Sequence, residues 1–144
     1  MDLTYLITPF LAWFVSGFLK FLIFSIKKQA LAFDLMGNGG MPSTHTTVVV
    51  STATLIALRQ GVDSAAFGIA VTLAFIIMID ANSLRRHVGK QAVVLNRLTK
   101  LTEGKTEERA LRERMGHSRR EIFVGILLGM LTGYVVFLSS PVII

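Results

Sequence analysis

At 144 residues the chain is long enough for one domain and no more. Its composition, 52% hydrophobic against 17% charged with a mean hydropathy of +0.60, excludes a water-soluble fold of this size, which needs more polar surface. The absence of cysteine excludes disulfides, thiolate metal sites and a cysteine nucleophile, and the net charge of +6 is concentrated, with 11 of the 15 Lys and Arg lying between Arg85 and Arg120. Beside a membrane such a cluster marks topology and contact with anionic head groups or phosphate, and nucleic acid is not an expected partner.

The first apolar stretch covers residues 3–26, interrupted by Lys20 and closed by Lys27 and Lys28. It opens on Asp2 with no basic residue and no small-x-small cleavage site follows, so it reads as a retained transmembrane helix. The second stretch, 43–58, lies between Pro42 and Arg59-Gln60-Gly61; it is short for a span and rich in Thr and Val, which suits a polar protein interior. The third, 64–79, ends at Asp80. The fourth, 122–138, ends before Ser139-Ser140-Pro141. Between the last two lies a hydrophilic segment, 81–120. In it Val88, Ala92, Leu95, Leu98 and Leu101 recur at helical spacing, with Lys90, Arg97 and Lys100 on the remaining surface. That pattern predicts an amphipathic helix at the membrane interface, or a solvated linker helix; residues 102–108 read as a turn. The fold class is therefore an all-α integral membrane bundle of about four transmembrane helices plus one amphipathic interfacial helix.

With four spans, the loops after the first and third emerge on the same side. One carries Lys27 and Lys28 and the other the basic cluster, while the opposite side offers only Asp2, Arg59 and Asp63. The positive-inside tendency puts both basic loops in the cytoplasm, in what we read as a bacterial inner (plasma) membrane. This topology gathers His45, Asp80, Arg85, Arg86, His117 and Glu121 at span ends on one face, with Lys20 about two turns below it. Groups so costly to hold near hydrocarbon mark a site.

The local chemistry points to an anion. Gly39-Gly40-Met41-Pro42-Ser43 leads into a helix start, whose free N–H groups and dipole favour phosphate, and arginine forks match phosphate oxygens. Two histidines supply a nucleophile and an acid for phosphoryl transfer, and a carboxylate four residues after His117 can fix its tautomer. Plainer readings stand beside these: Ser43 or Thr44 as an ordinary helix cap, His117 with Glu121 as a surface pair, Lys20 as a snorkelling side chain. His87 reads as structural or solvated. Asp80 reads as a partner for Arg85 or Arg86, with a divalent cation such as Mg²⁺ held by Asp80 and Asp34 as the alternative. Gly125, Gly129 and Gly133 form a smooth stripe, either packing inside the bundle or forming a homodimer seam.

Pro42-Ser43-Thr44-His45 resembles the PSGH motif of the type 2 phosphatidic acid phosphatase (PAP2) superfamily, relatives of the vanadium haloperoxidases. His117-Ser118-Arg119-Arg120-Glu121 resembles its closing HxxxD motif. Together with the run from Asp80 to Ala92, these three ordered motifs resemble the divergent branch of that superfamily, over nearly the whole chain as a single membrane-embedded domain. The resemblance implies a lipid phosphatase in which His117 is the nucleophile forming a phosphohistidine, Glu121 orients it and His45 is the general acid. Lys20, Ser43, Thr44 and an arginine from Arg85 or Arg86 would bind phosphate, and no cofactor or metal would be required. Glu121 stands where the superfamily has Asp, Thr44 where it has Gly, and Leu111 where an arginine usually precedes the nucleophile. The rival readings are a non-catalytic phospholipid-binding protein that retains the anion site, and a lipid-translocating one.

Overall fold

The computed structural model describes residues 3–29, 40–101, 110–113 and 115–140. Asp34 and the expected turn at 102–108 lie outside the described residues. Five helices follow one another: α1 (Thr4–Lys28), α2 (Thr44–Gln60), α3 (Ala65–Asn82), α4 (Leu84–Leu101) and α5 (Arg119–Ser139). The described residues contain no strand.

The bundle is built around α2, which packs against α1, α3 and most extensively α5. Three helical stretches are long and apolar enough to cross a membrane: α1, the run Ala65–Lys100 that begins with α3, and α5. At 17 residues α2 is shorter, about 25 Å, and the others enclose it. Of the four spans expected from sequence, three correspond to helices long and apolar enough to cross, and the remaining one, α2, is the short helix at the centre of the bundle.

Burial is inverted relative to a soluble protein. Large apolar side chains such as Phe10, Trp13, Phe14, Phe75 and Phe123 are exposed, whereas the inward stripe of α1 is Thr8, Ala12, Ser16 and Lys20. Lipid tails already solvate the large side chains, so helices gain by bringing small residues together. The buried hydroxyls need no outside partner. Thr47 Oγ1 donates to the Ser43 carbonyl (2.9 Å), Ser51 Oγ to Val48 (2.8 Å) and Thr132 Oγ1 to Leu128 (2.8 Å). Each bonds back to its own helix, which lets a Thr-rich α2 sit at the centre.

The glycine stripe of α5 lies in this interface. A Cβ on Gly125, Gly129 or Gly133 would come within 2.8, 2.8 and 2.5 Å of the carbonyls of Ser43, Thr47 and Ser51 in turn. Three glycines on α5 therefore meet three hydroxyl residues of α2, each set at four-residue spacing, and the stripe serves packing within the chain.

The far end is tied separately. Arg59 donates to the Ser140 carbonyl (2.7 Å) and lies over the Tyr5 ring at 5.4 Å, and Gln60 bonds the Tyr5 hydroxyl (3.1 Å). The C-terminal end of α2 is thereby pinned, and the opposite end, bearing His45, is the one with the motifs.

Candidate phosphate-binding mouth

Helix α5 starts where Ser118 caps it. Ser118 Oγ accepts from the Glu121 N–H (3.3 Å), and the Glu121 carboxylate accepts from the Ser118 N–H (2.9 Å), a reciprocal capping box. The same oxygen, Oε2, stands 3.3 Å from His117 Nδ1. One carboxylate thus begins the helix and holds the ring. With Nδ1–H donating to Glu121, the lone pair resides on Nε2. His117 is 7% exposed, and its N–H donates to the Ala81 carbonyl at the end of α3 (2.9 Å). The turn before it needs glycine: Gly116 has φ +84°, and a Cβ would strike Arg86 Cγ at 2.6 Å.

The first motif is joined to the third through backbone. The Ser43 N–H donates to the Glu121 carbonyl (3.1 Å), which sets the start of α2 beside the start of α5. Ser43 is fully buried at the N-cap of α2, but its side chain makes no cap bond; its Oγ accepts from Thr46 Oγ1 (2.9 Å). The plain capping role is therefore not what Ser43 does. Thr44 is half-buried in the first turn and His45 is exposed beside it. The Met41–Pro42 peptide before them is cis, and Gly40, at φ +124°, lies against Phe24 of α1.

Lys20 is buried, 5% exposed, on the inward stripe of α1. It lies within electrostatic reach of Glu121, His45 and His117. Arg85 also acts on both histidines, and its Nε bonds Asp80 Oδ2 at 2.8 Å. Of the two arginine partners that the sequence leaves open for Asp80, the structure pairs it with Arg85. That bridge uses Nε, so the terminal Nη pair of the fork is what can meet an anion. Arg86 is exposed and its stem packs on the Gly116 turn, and of the two arginines Arg85 is the one whose charge is felt at both histidines. Among the described residues no cluster of three His, Asp or Glu side chains could hold a metal.

The family model described as the Divergent PAP2 family matches residues 1–132. The chain belongs to this family. A Bacillus subtilis (strain 168) relative, "Uncharacterized membrane protein YuiD", is 38% identical over 108 residues, covering 65% of this chain and 68% of the relative. No solved structure matches. As a divergent PAP2 chain it is a helical membrane protein, and the motif residues that carried the resemblance lie at one end of its bundle.

Sequence reading missed Arg112. It stands one residue after Leu111, where the superfamily's arginine was sought, and it lies within electrostatic reach of Lys20. Its neighbours are held in an unexpected way: Asn96 of α4 bonds Leu111 and Glu113 on either side of it.

Burial pushes the His117 pKa below the ordinary histidine value of 6.5; Lys20 and Arg85 act in the same direction, and the bond to Glu121 opposes them. The ring is therefore neutral at pH 7. The acid limb of any rate that depends on neutral His117 should have its midpoint below that of an ordinary histidine. Glu121→Gln removes the opposing interaction, so the acid limb of a pH–rate profile should move to still lower pH; a move upward would contradict this electrostatic account.

Proposed function

We propose that the protein hydrolyses a phosphomonoester or diphosphate on a membrane lipid through a phosphohistidine at His117. The observation that carries this reading is the His117–Glu121 contact at 3.3 Å, with the ring buried and Lys20 and Arg85 acting on it. A neutral ring held at Nδ1 presents Nε2 as the attacking atom. As the Nε2–P bond forms, the bond from phosphorus to the lipid oxygen breaks, and His45, exposed at the same mouth, gives that oxygen its proton. Water then attacks phosphorus and gives a proton to His45, and phosphate leaves with His117 restored. Lys20, Arg85 and Arg112 balance the charge on the phosphoryl oxygens, and the first N–H groups of α2 at Thr44 and His45 face the same anion. No metal is needed for these steps. The lipid chain lies along the apolar outer faces of the helices while the head group reaches the mouth.

Phosphate release from lipid phosphates by purified protein in detergent tests the reading. Release is expected with and without a chelator; no release from any lipid mono- or diphosphate would remove the hydrolase and leave the anion-binding reading.

By the basic-loop count the mouth faces the cytoplasm of the inner membrane, with α4 at the interface. In this cysteine-free chain, Ser83→Cys beside the mouth and Ser139→Cys at the far end should label from opposite sides. Only Ser139→Cys should react with an impermeant thiol reagent in intact cells; labelling of Ser83→Cys there would reverse the orientation.

A further inference from the structure

The described residues that lead to His117, 110–113 and 115–118, are not part of any helix, yet they are held at three places on the way to α5. Farthest from His117, the side-chain amide of Asn96 treats Leu111 as a strand would. Its Nδ2 donates to the Leu111 carbonyl (2.8 Å), its Oδ1 accepts from the Leu111 N–H (2.8 Å), and Nδ2 also reaches Glu113 Oε1 (2.9 Å). Next, Gly89 of α4 lets the backbone come close: a Cβ there would stand 2.5 Å from the Glu113 carbonyl and 3.3 Å from the Met115 nitrogen. Last, Gly116 fits against Arg86 and the Ala81 carbonyl, and the His117 N–H closes on Ala81.

Asn96 and Gly89 lie seven residues apart, two helical turns on one face of α4. The face that grips the segment is thus distinct from the apolar positions Leu95 and Leu98, which are exposed. A carboxamide that satisfies both the N–H and the C=O of one residue replaces a backbone ladder with a single side chain. Arg112 lies between the two residues Asn96 holds, and His117 lies at the end of the segment.

We propose that Asn96 is a positioning residue: by clamping Leu111 and Glu113 to α4 it sets where Arg112 and His117 meet the mouth. This rests on the phosphohistidine reading for its effect on rate, but the clamp itself does not. Asn96→Ala removes all three bonds. Gly89→Ala acts on the same segment from another point, because the added methyl must displace the Glu113 backbone. Neither residue touches the reacting atoms.

Both variants should be compared with the full-length wild type and with Gln91→Ala, an exposed α4 change off the clamp. Hydrogen–deuterium exchange of the detergent-solubilised protein should show the Leu111–His117 amides exchanging about tenfold faster in both variants, with α1, α2 and α5 unchanged. The NMR titration of the His117 ring should move toward that of an ordinary exposed histidine. Phosphate release should fall about 10- to 100-fold in kcat, the range for a misplaced catalytic group, with a smaller change in KM. Unchanged exchange would overturn the clamp. Faster exchange with an unmoved His117 titration would overturn the positioning role. If the wild type releases no phosphate, the hydrolase reading falls, while exchange and titration still decide this proposal.

Discussion

His117→Gln is expected to lower phosphate release from a lipid phosphate by on the order of 10⁴-fold or more, with helix content and thermal midpoint close to wild type. Gln preserves much of what the structure asks of the position. Its amide can still donate to Glu121, and the backbone bond from residue 117 to the Ala81 carbonyl is untouched. What it lacks is a basic nitrogen lone pair aimed away from Glu121. Loss of activity without loss of fold therefore isolates nucleophilic attack from the structural work of the capping box. Glu121→Gln is a milder change to the reaction and a larger one to the helix start, since Oε2 accepts from both Ser118 and His117. A His117→Gln protein that kept more than about a tenth of wild-type release would contradict nucleophilic catalysis by this residue, because loss of a nucleophile costs far more than tenfold.

The second large effect lies in packing. Gly129→Leu should destabilise the bundle by about 3 kcal/mol or more, read as a lower thermal midpoint in detergent, and should remove activity with it. A Cβ at this position would stand 2.8 Å from the Thr47 carbonyl and 2.8 Å from Val50 Cβ, and a leucine adds three more carbons. A backbone carbonyl cannot rotate aside as a side chain can, so α5 must move off α2. That movement reaches the mouth, because the Ser43–Glu121 backbone bond joins the same two helices one turn beyond Gly125. Gly129→Ala, whose added Cβ already meets the Thr47 carbonyl, is compared with Gly17→Ala and Gly68→Ala as matched controls. Nothing stands within 4 Å of a Cβ at either control, and each should be neutral or stabilising by up to about 1 kcal/mol through helix propensity. Equal losses at all of these glycines would mean that the α2–α5 contact is not what the stripe provides.

Much of the architecture was legible because apolar length and the breaks at Pro42, Gly61 and Pro141 are local signals. Hydropathy alone starts the fourth apolar stretch at Ile122, three residues inside the helix. Ser118 and Glu121 in S-x-x-E spacing place the start at Arg119, and that signal was present in the sequence. The glycine stripe was visible, but its partner was not. Only the fold shows that Ser43, Thr47 and Ser51, at the same interval at the N-cap and along α2, are what the glycines face. At the mouth, the gathering of His45, Asp80, His117 and Glu121 at one end could be read from motif order, whereas the choice of Arg85 over Arg86 as the partner of Asp80 needed the fold. Arg112 and Asn96 could not be read from motif order. A side-chain amide bonding a backbone 15 residues away follows no period, and Arg112 stands beside, not at, the position that a motif of fixed spacing inspects.

The proposed reaction turns on a covalent intermediate at one atom. Wild-type protein incubated with a lipid phosphate carrying ³²P in its head group, quenched in alkali and digested, should retain label on the peptide containing His117. The bond should survive alkali and be lost in acid, as a phosphoramidate is, and the label should be absent from His117→Gln. Phosphate release with the label on another residue, or release that proceeds undiminished in His117→Gln, would contradict it.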